Sequence, residues 1–344
     1  MTGAMRMLRR FGSAAATVVV VAACGGGATL TTTVTGTPAG GAASSGESLQ
    51  AQYVSVVKAT QPEVVQIRSD TGLGSGVVFD GAGNIVTNAH VVSGATSLQV
   101  TLADGRRFPA RLVGAYTPDD LAVISIGKGH NVKPATFADS SKLAVGEIVL
   151  AVGNPLGLQS SVTDGIVSAL GRNVSEQQGV VIADAIQTSA AINPGNSGGA
   201  LIDLQARVVG IPTLAAVNAD VGGTAAGIGF AIPSNTVTDI AGQIVREGRV
   251  VNSHRAALGI SIADSPSRSG AIVAAVQSGG PAAKAGIVAG DAIVKVDGNQ
   301  ITSASDLASA LADHEPGEKV TVTLTGTDGS TRSATVTLGQ LPGS

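Results

Sequence analysis

The chain is organised around the stretch NPGNSGG, residues 193–199, which lies between two segments rich in apolar residues. A nucleophilic serine needs an exposed hydroxyl, with backbone N–H groups beside it that point at the oxygen that becomes negative. Glycines on both sides of Ser197 let the backbone turn tightly and approach a substrate carbonyl. The N–H groups of Gly195 and Ser197 are placed to form such an oxyanion hole. A glycine-rich surface hairpin is the alternative that this stretch alone leaves open.

A serine nucleophile needs a base, and the chain offers four histidines: His90, His130, His254 and His314. His90 stands at the close of an apolar strand predicted over 84–92 (NIVTNAHVV). The other three fall in a polar loop, in a linker and at the end of a polar helix. Their context therefore favours His90 as the base.

The base in turn needs a carboxylate that orients it. Asp120 leads the apolar strand LAVISI, 121–126, where a carboxylate is well placed to be half-buried against an imidazole. Asp119 is the rival, and we interpret it as a solvated turn residue. The predicted catalytic set is His90, Asp120 and Ser197.

Short strands separated by turns extend outward from this set, from residue 64 to 233. Turn signals such as Asp80-Gly81 and Asp104-Gly105 recur at short intervals, which is typical of an antiparallel barrel or sandwich. Two sets of about six strands favour two barrels, although the pattern alone leaves sandwiches open. The predicted strands are 64–69, 74–80, 84–92, 97–103, 107–116 and 121–126 in the first set, and 147–153, 161–172, 185–190, 199–213 and 227–233 in the second.

A helix and a separate third unit follow the strands. Ser234 is expected to cap a helix over 235–247, whose apolar residues share one face, and Gly248 to end it. Residues 248–256 read as a linker. The third unit is predicted to have strands at 258–263, 271–276, 292–298, 319–325 and 331–338, a short helix at 281–287 and a longer one at 304–314, capped by Ser303 with Asp306.

The N-terminus has the pattern of an export signal. Residues 1–10 carry three arginines, and 11–23 form an apolar run too short to span a membrane. The run ends before Cys24, the only cysteine of the chain, in the manner of a bacterial lipobox, where the signal is cut before a cysteine that carries lipid. A plain signal or an uncleaved anchor remains the alternative. The Gly-, Thr- and Ser-rich residues 25–48 are expected to be a flexible tether.

Composition narrows the function further. The formal net charge is −3, and the first 23 residues contain arginine but no acid, so the remainder is more acidic still. This balance gives no electrostatic reason to expect nucleic-acid binding. No Cys/His cluster has metal-ligand spacing, and we expect no metal and no cofactor. With no Trp and one Cys, the cores are expected to be aliphatic and free of disulfides.

Several long segments resemble the HtrA (Deg) family of serine proteases, whose triad order His…Asp…Ser is that of the chymotrypsin-like enzymes. They are GSGVVFDGAGNIVTNAHVV (74–92), DDLAVISI (119–126), AVGNPLGLQSSVTDGIVSALGR (151–172), IQTSAAINPGNSGGALID (186–203) and GIGFAIPSN (227–235). The last domain resembles a PDZ domain, in which Leu258, Gly259 and Ile260 match the loop that binds a peptide's C-terminal carboxylate. The chain differs from the family's usual pattern at Asp164, Ser189 and Ala200.

The resemblance implies a mainly β protein: a chymotrypsin-like double β-barrel protease domain followed by a PDZ domain. The expected organisation is a lipoprotein-type signal over 1–23, a flexible linker over 24–48, a trypsin-like serine protease domain over 49–247 and a PDZ domain over 257–340. The family implies a homotrimer that degrades misfolded or exported proteins at the extracytoplasmic face of the bacterial membrane and binds C-terminal peptides. A catalytically quiescent chaperone or peptide-binding protein is the competing function, which the intact triad disfavours.

Overall fold

A computed structural model describes residues 43–154, 161–175, 181–193, 195–218, 223–263 and 269–343. The predicted signal over 1–23, the lipidation site Cys24 and most of the tether 24–48 lie outside these ranges. No helix of the described part of the chain is long and apolar enough to cross a membrane.

The first six strands close into a barrel, in the hydrogen-bonded order β1-β2-β3-β6-β5-β4. Aliphatic side chains such as Val65, Ile67, Ile85 and Ile124 fill its interior, and each is fully buried. Valine and isoleucine suit such a surface because their branched side chains pack well on a pleated sheet. The strands are β1 Val64–Ser69, β2 Leu73–Val78, β3 Asn84–Thr87, β4 Leu98–Thr101, β5 Arg107–Tyr116 and β6 Leu121–Ser125.

The next six strands form a second closed barrel, in the order β10-β11-β12-β9-β8-β7. The strands are β7 Ile148–Gly153, β8 Ser161–Ser175, β9 Val181–Thr188, β10 Ala200–Ile202, β11 Val208–Asn218 and β12 Gly223–Pro233. The two barrels agree with the prediction, but 199–213 is a hairpin rather than one strand. The Asp203 carboxylate makes the turn by accepting from the N–H groups of Gln205 and Arg207, with Ala206 left-handed at φ 60°.

Helix α3, Ser234–Glu247, follows the second barrel and helps to seal the space between the barrels. Its buried face carries Val237, Ile240 and Ile244, as the spacing predicts. Gly248 ends the helix at φ 71°, and its N–H donates to the carbonyl of Ile244. Ser234 makes no capping hydrogen bond. Its hydroxyl donates instead to the carbonyl of Ala138, which lies between β6 and β7.

Helix α1, Ala43–Thr60, was not predicted and begins inside the range expected to be a tether. Its central residues Glu47 to Gln52 are good helix formers. Val56 is buried in the core between the barrels, and Tyr53 and Val57 pack against that core. Contact with the protease core therefore supplies the stability that the polar sequence does not suggest.

The C-terminal unit is a separate sheet with its own aliphatic core, which includes Val273, Ile293, Val322 and Leu324. Its main sheet has the order β14-β15-β16-β18-β19, with β17 paired to β16, while β13 pairs with β20. Its elements are β13 Ala256–Ala257, β14 Ile260–Ala263, β15 Ala271–Val276, α4 Pro281–Lys284, β16 Ala292–Val296, β17 Asn299–Gln300, α5 Ala304–Ala312, β18 Lys319–Thr325, β19 Thr331–Thr337 and β20 Gly339–Gln340. The capping box predicted at Ser303 and Asp306 is present.

Candidate active site

His90 lies on a short helix rather than at the end of a strand, which corrects the sequence-based prediction. Strand β3 stops at Thr87, Asn88 is extended, and helix α2, Ala89–Val92, begins next. The helix starts there because the Ala89 N–H donates to the carbonyl of Asp120 at 3.0 Å. The side-chain amide of Asn88 donates to the same carbonyl at 3.1 Å, so this turn is held against the start of β6.

Asp120 holds His90 by two contacts. Its Oδ1 accepts from the backbone N–H of His90 at 3.0 Å, and its Oδ2 lies 2.8 Å from Nδ1 of the ring. An ionised carboxylate can only accept, so Nδ1 carries the proton and Nε2 is left with its lone pair. The carboxylate is buried whereas the imidazole is about half exposed, which is the arrangement of an oriented base that faces substrate.

Asp120 itself adopts a strained backbone conformation at the end of a 3₁₀ turn, Thr117–Asp119. Its φ of 50° and ψ of 40° lie in the left-handed region, which costs a residue other than glycine about 1–2 kcal/mol. This conformation turns the carboxylate away from the strand that follows and toward the second barrel. There Thr213 of β11 donates its hydroxyl to Oδ2 at 2.6 Å.

Asp119 is not the solvated residue that the sequence suggested. Its carboxylate is buried and lies 2.7 Å from Nη1 of Arg255, which also donates to the carbonyl of Pro118. Burial raises the pKa of the Asp119 carboxyl, and the Arg255 guanidinium opposes the rise only in part. The partner is 136 residues away along the chain, so no local pattern could have indicated it.

Ser197 lies in the loop between β9 and β10 of the second barrel. Gly198 has a φ of 78° and donates its N–H to the carbonyl of Pro212, which turns the chain sharply after the serine. A side chain at Gly198 would collide with the carbonyl of Ser75 and the hydroxyl of Thr87. The Ser197 hydroxyl donates to the carbonyl of Thr213 at 3.2 Å.

The backbone around the predicted oxyanion hole is braced on both sides of Asn196. The Asn196 N–H donates to the carbonyl of Asn193, and its own carbonyl accepts from the Gly199 N–H, both at 3.0 Å. Its side chain accepts from the Asn193 N–H and donates to the carbonyl of Ala191. The carbonyl of Gly195 accepts from the hydroxyl of Ser75 at 2.8 Å.

His90 and Asp120 are thus in direct contact, and Ser197 is linked to them through Thr213, whose carbonyl accepts from the Ser197 hydroxyl and whose own hydroxyl donates to Asp120. His90 and Asp120 come from the first barrel and Ser197 from the second. Sequence reasoning missed Thr213, which contacts Asp120 and Ser197, and Ser75, which contacts the backbone carbonyls of Gly195 and Ser197. Neither carries a signal of its own, because each is a single hydroxyl within an apolar or glycine-rich run.

The other histidines have different surroundings. The His130 ring packs on Phe108 with 4.2 Å between centroids, and its Nε2 lies 3.1 Å from the carbonyl of Ile126. His254 lies 3.5 Å from Asp239, and His314 lies 2.8 Å from Glu318. Within the described ranges, no group of three or more metal-ligating side chains is assembled.

The C-terminal unit carries a groove of about 740 Å³ between β14 and α5. Its apolar lining includes Ile260, Ile262, Leu307 and Leu311. Thr117 and Pro118, which lie in the 3₁₀ turn that precedes Asp120, border the same groove.

In the loop at one end of this groove, the carbonyls of Leu258 and Gly259 are held by backbone N–H groups of other segments. The carbonyl of Leu258 accepts from the Ala282 N–H, and that of Gly259 accepts from the Gln277 N–H, each at 2.9 Å. In a trans peptide the N–H points opposite to the C=O. The N–H groups of Gly259 and Ile260 are therefore directed to the other side of the loop, and Gly259 reaches this geometry at φ 70°.

Two regions of the chain match known protein families. Residues 74–211 match the family described as trypsin-like peptidase domain, and residues 256–338 match the PDZ domain. The serine protease Do-like HtrA of Lactococcus lactis, strain IL1403, is 43% identical over 291 residues, which cover 78% of this chain and 70% of that protein. The periplasmic serine endoprotease DegP of Escherichia coli, strain K12, is 42% identical over 260 residues, 73% of this chain and 54% of that protein.

Solved structures give the same result. The HtrA-type protease AlgW with decapeptide is 32% identical, with a TM-score of 0.57, over 84% of this chain and 99% of that one. The mainly β architecture of a trypsin-like double barrel followed by a PDZ domain is confirmed. The chain therefore belongs to the HtrA family of serine proteases, and it is a serine endopeptidase.

Proposed function

We propose that Ser197 is the nucleophile of this endopeptidase, with His90 as its general base and Asp120 as the group that orients the base. The observation that carries the proposal is the 2.8 Å contact between Oδ2 of Asp120 and Nδ1 of His90, which places the ring proton on Nδ1 and makes Nε2 the basic nitrogen. The match to the trypsin-like peptidase domain supports it, since residues 74–211 contain all three side chains.

The chemistry follows from these roles. His90 takes the hydroxyl proton as Ser197 Oγ attacks the scissile carbonyl, and the oxyanion that forms accepts from the N–H groups of Gly195 and Ser197. His90 then gives the proton to the leaving amine, and the acyl-enzyme remains. Water, activated by His90 in the same way, releases the second product.

The test is digestion of unfolded casein by the wild-type chain and by Ser197→Ala. We expect the alanine variant to lose activity by several orders of magnitude, because triad members act as a unit, while its circular dichroism and thermal midpoint stay those of wild type. Ser141→Ala, on the exposed 3₁₀ turn 140–142, is the matched control and should digest normally. Digestion by Ser197→Ala at the wild-type rate would reject the assignment of the nucleophile, whereas a wild-type chain that fails to digest casein would favour the quiescent chaperone instead.

We further propose cleavage after small aliphatic residues such as Val or Ala. The segments 188–192 and 211–217, which we assign to the wall of the primary pocket, carry no charge. Ile192 is buried and packs directly on Gly229, where even a methyl group would collide with it. A wall filled in this way leaves little depth for a long side chain. Mass-spectrometric mapping of casein peptides that shows cleavage mainly after Lys or Arg would overturn this specificity.

The PDZ domain, for which we keep the boundaries 257–340, is proposed to bind C-terminal peptides. The N–H groups of Gly259 and Ile260 would receive the terminal carboxylate, in the loop that starts at Leu258. The peptide would then add as a strand along β14, with its apolar side chains in the groove against α5.

For the remaining parts of the chain we propose a protease domain over 49–247, assembled as a homotrimer in the cell envelope, that degrades misfolded or exported proteins. The envelope location is supported by the word periplasmic in the name of the DegP relative. We also propose that Cys24 carries a lipid that holds the enzyme at the membrane. Fractionation of cells that express wild type and Cys24→Ser tests the anchor, since the serine form should lose the lipid and leave the membrane fraction.

A further inference from the structure

We propose that Ser75, on β2 of the first barrel, is a positioning residue that holds the oxyanion-binding loop of the second barrel in its working orientation. This inference rests on the proposed roles of Ser197 and of the Gly195 and Ser197 N–H groups. It assigns a function to a hydroxyl that touches neither His90 nor Asp120 in the contacts described above.

The Ser75 hydroxyl is fully buried and has a fixed polarity. It donates to the carbonyl of Gly195 at 2.8 Å and accepts from the backbone N–H of Asn154 at 2.8 Å. A carbonyl can only accept and an amide N–H can only donate, so the proton of this hydroxyl has one direction. Ser75 thereby connects the end of β7 to the loop that precedes the nucleophile.

The backbone of Ser75 binds the same loop. Its N–H donates to the carbonyl of Ser197 at 3.0 Å, and its carbonyl accepts from the Thr87 hydroxyl at 2.7 Å. The side chain and the main chain of one residue thus hold the carbonyls on both sides of Asn196. The nucleophile loop is therefore hydrogen-bonded to the first barrel through two carbonyls, those of Gly195 and Ser197.

The Gly195 carbonyl needs this restraint because glycine lets a peptide group rotate at little cost. Its orientation sets the plane of the Gly195–Asn196 peptide, whose N–H is held at the other end by the carbonyl of Asn193. The next N–H along the chain belongs to Ser197 and is one of the two proposed oxyanion donors. Gly153 lies so close to the carbonyl of Gly195 and the backbone of Asn196 that an added Cβ would collide with both, so the loop has no room to shift on that side.

Removal of the hydroxyl would leave the Gly195 carbonyl and the Asn154 N–H without this partner in a buried site. The loop then gains other orientations, in which the donors no longer converge on the oxyanion. The transition state should therefore be stabilised less, whereas substrate binding should not change, because the oxyanion forms only after attack.

The test compares Ser75→Ala with Ser125→Ala, a buried serine of the same barrel whose hydroxyl accepts only from the Gly127 N–H in the bonds described. Each variant is assayed with a peptide from the casein digest and with the corresponding peptide boronic acid. In that complex Ser197 Oγ donates an electron pair to boron, its proton passes to His90, and a boronate oxygen occupies the oxyanion hole. No group leaves, so boronate affinity reports the donors.

We expect Ser75→Ala to lose about tenfold to a hundredfold in kcat and the same factor in boronate affinity, from one hydrogen bond in a buried site. KM should stay within about twofold, as for an interaction made only in the transition state. The acid limb of the pH profile should not move, because the His90–Asp120 pair is untouched. Ser125→Ala should match wild type in all four.

Three results would overturn the proposal: unchanged kcat and boronate affinity, a shifted acid limb, or a reduced fraction of fluorophosphonate-reactive sites with normal kcat per site. The last would assign Ser75 a role in folding alone. If Ser75→Ala does not fold, Ser75→Cys is read by the same criteria, because its thiol fills the site but bonds weakly. Failure of the triad proposal is separate, since it would appear as activity in Ser197→Ala.

Discussion

The hydroxyl of Thr213 donates to Oδ2 of Asp120 at 2.6 Å, and this is the same carboxylate oxygen that contacts Nδ1 of His90 at 2.8 Å. One oxygen therefore divides its negative charge between a hydroxyl of the second barrel and the imidazole. The strength of the first bond affects how strongly the carboxylate stabilises a protonated ring.

Thr213→Val removes the hydroxyl at nearly constant volume. We expect kcat/KM to fall about tenfold or more, because the carboxylate loses the hydroxyl that fixes its orientation toward the imidazole. Activity also falls on acidification, because the base becomes protonated. With one donor lost, the carboxylate holds the imidazolium more strongly, so the acid limb should move to higher pH. Thr213→Ser keeps the hydroxyl and should behave as wild type; an acid limb that moves to lower pH in the valine form contradicts the argument.

Gly198→Ala should inactivate the enzyme and lower its free energy of unfolding. The alanine methyl would collide with the Ser75 carbonyl, and the left-handed backbone adds strain of about 1–3 kcal/mol. Gly94→Ala is the control, since Gly94 has a similar φ of 67° with open space around it. That variant should cost only the left-handed penalty of about 1–2 kcal/mol and keep full activity. Urea unfolding and casein digestion measure both, and equal effects at the two sites would count against the collision.

Arg255→Met should destabilise the protein by about 3 kcal/mol or more, because it leaves the buried Asp119 carboxylate without its counter-charge. Addition of Asp119→Asn should restore part of the loss, since no buried charge then remains. Arg249→Met, at an exposed position, is the control and should change stability little. Equal stability of Arg255→Met and the double variant, by urea unfolding, would contradict the argument that an uncompensated Asp119 charge causes the loss.

Glu63 gives a prediction for stability against pH. Its carboxyl is buried, with Lys133 at 2.6 Å, and burial raises its pKa above the ordinary 4.5 despite that lysine. The folded state therefore binds this proton more tightly than the unfolded state. The contribution of the protonated Glu63 carboxyl to the free energy of unfolding is greatest below pH 4.5. It is lost as the pH rises through the raised folded pKa.

The measurement is the difference in unfolding free energy between wild type and Glu63→Gln. This difference should decline as the pH rises above 4.5 and then level off. Glu247→Gln, at an exposed position, should give a difference with no such trend. A difference that grows with pH would mean that Lys133 outweighs burial.

A peptide that ends in valine with a free carboxylate should bind the PDZ domain at least about tenfold more tightly than its C-terminal amide, because the amide removes the charge that the loop N–H groups would receive. Fluorescence anisotropy with the full chain measures both peptides. Equal affinities would show that the groove binds side chains alone.

The sequence was sufficient for the barrels, and for the choice of His90, Asp120 and Ser197 as candidates, because these signals are local. Strands of Val and Ile between turn residues, and glycines around Ser197, can be recognised within a few residues. The missed features depend on partners distant in the chain. Asp119 looked solvated because its arginine lies 136 residues ahead, and Ser75 and Thr213 act through the other barrel. His90 was placed on a strand because contacts with Asp120, not the sequence of β3, start its helix.

The division of the proposed site between two barrels also determines when the chain can first become active. Synthesis proceeds from the N-terminus, and domains form as their residues emerge. Ser75, His90 and Asp120 are therefore made, and the first barrel can close, before Ser197 exists. With Ser197 as the proposed nucleophile, the catalytic set stays incomplete until β12 completes the second barrel.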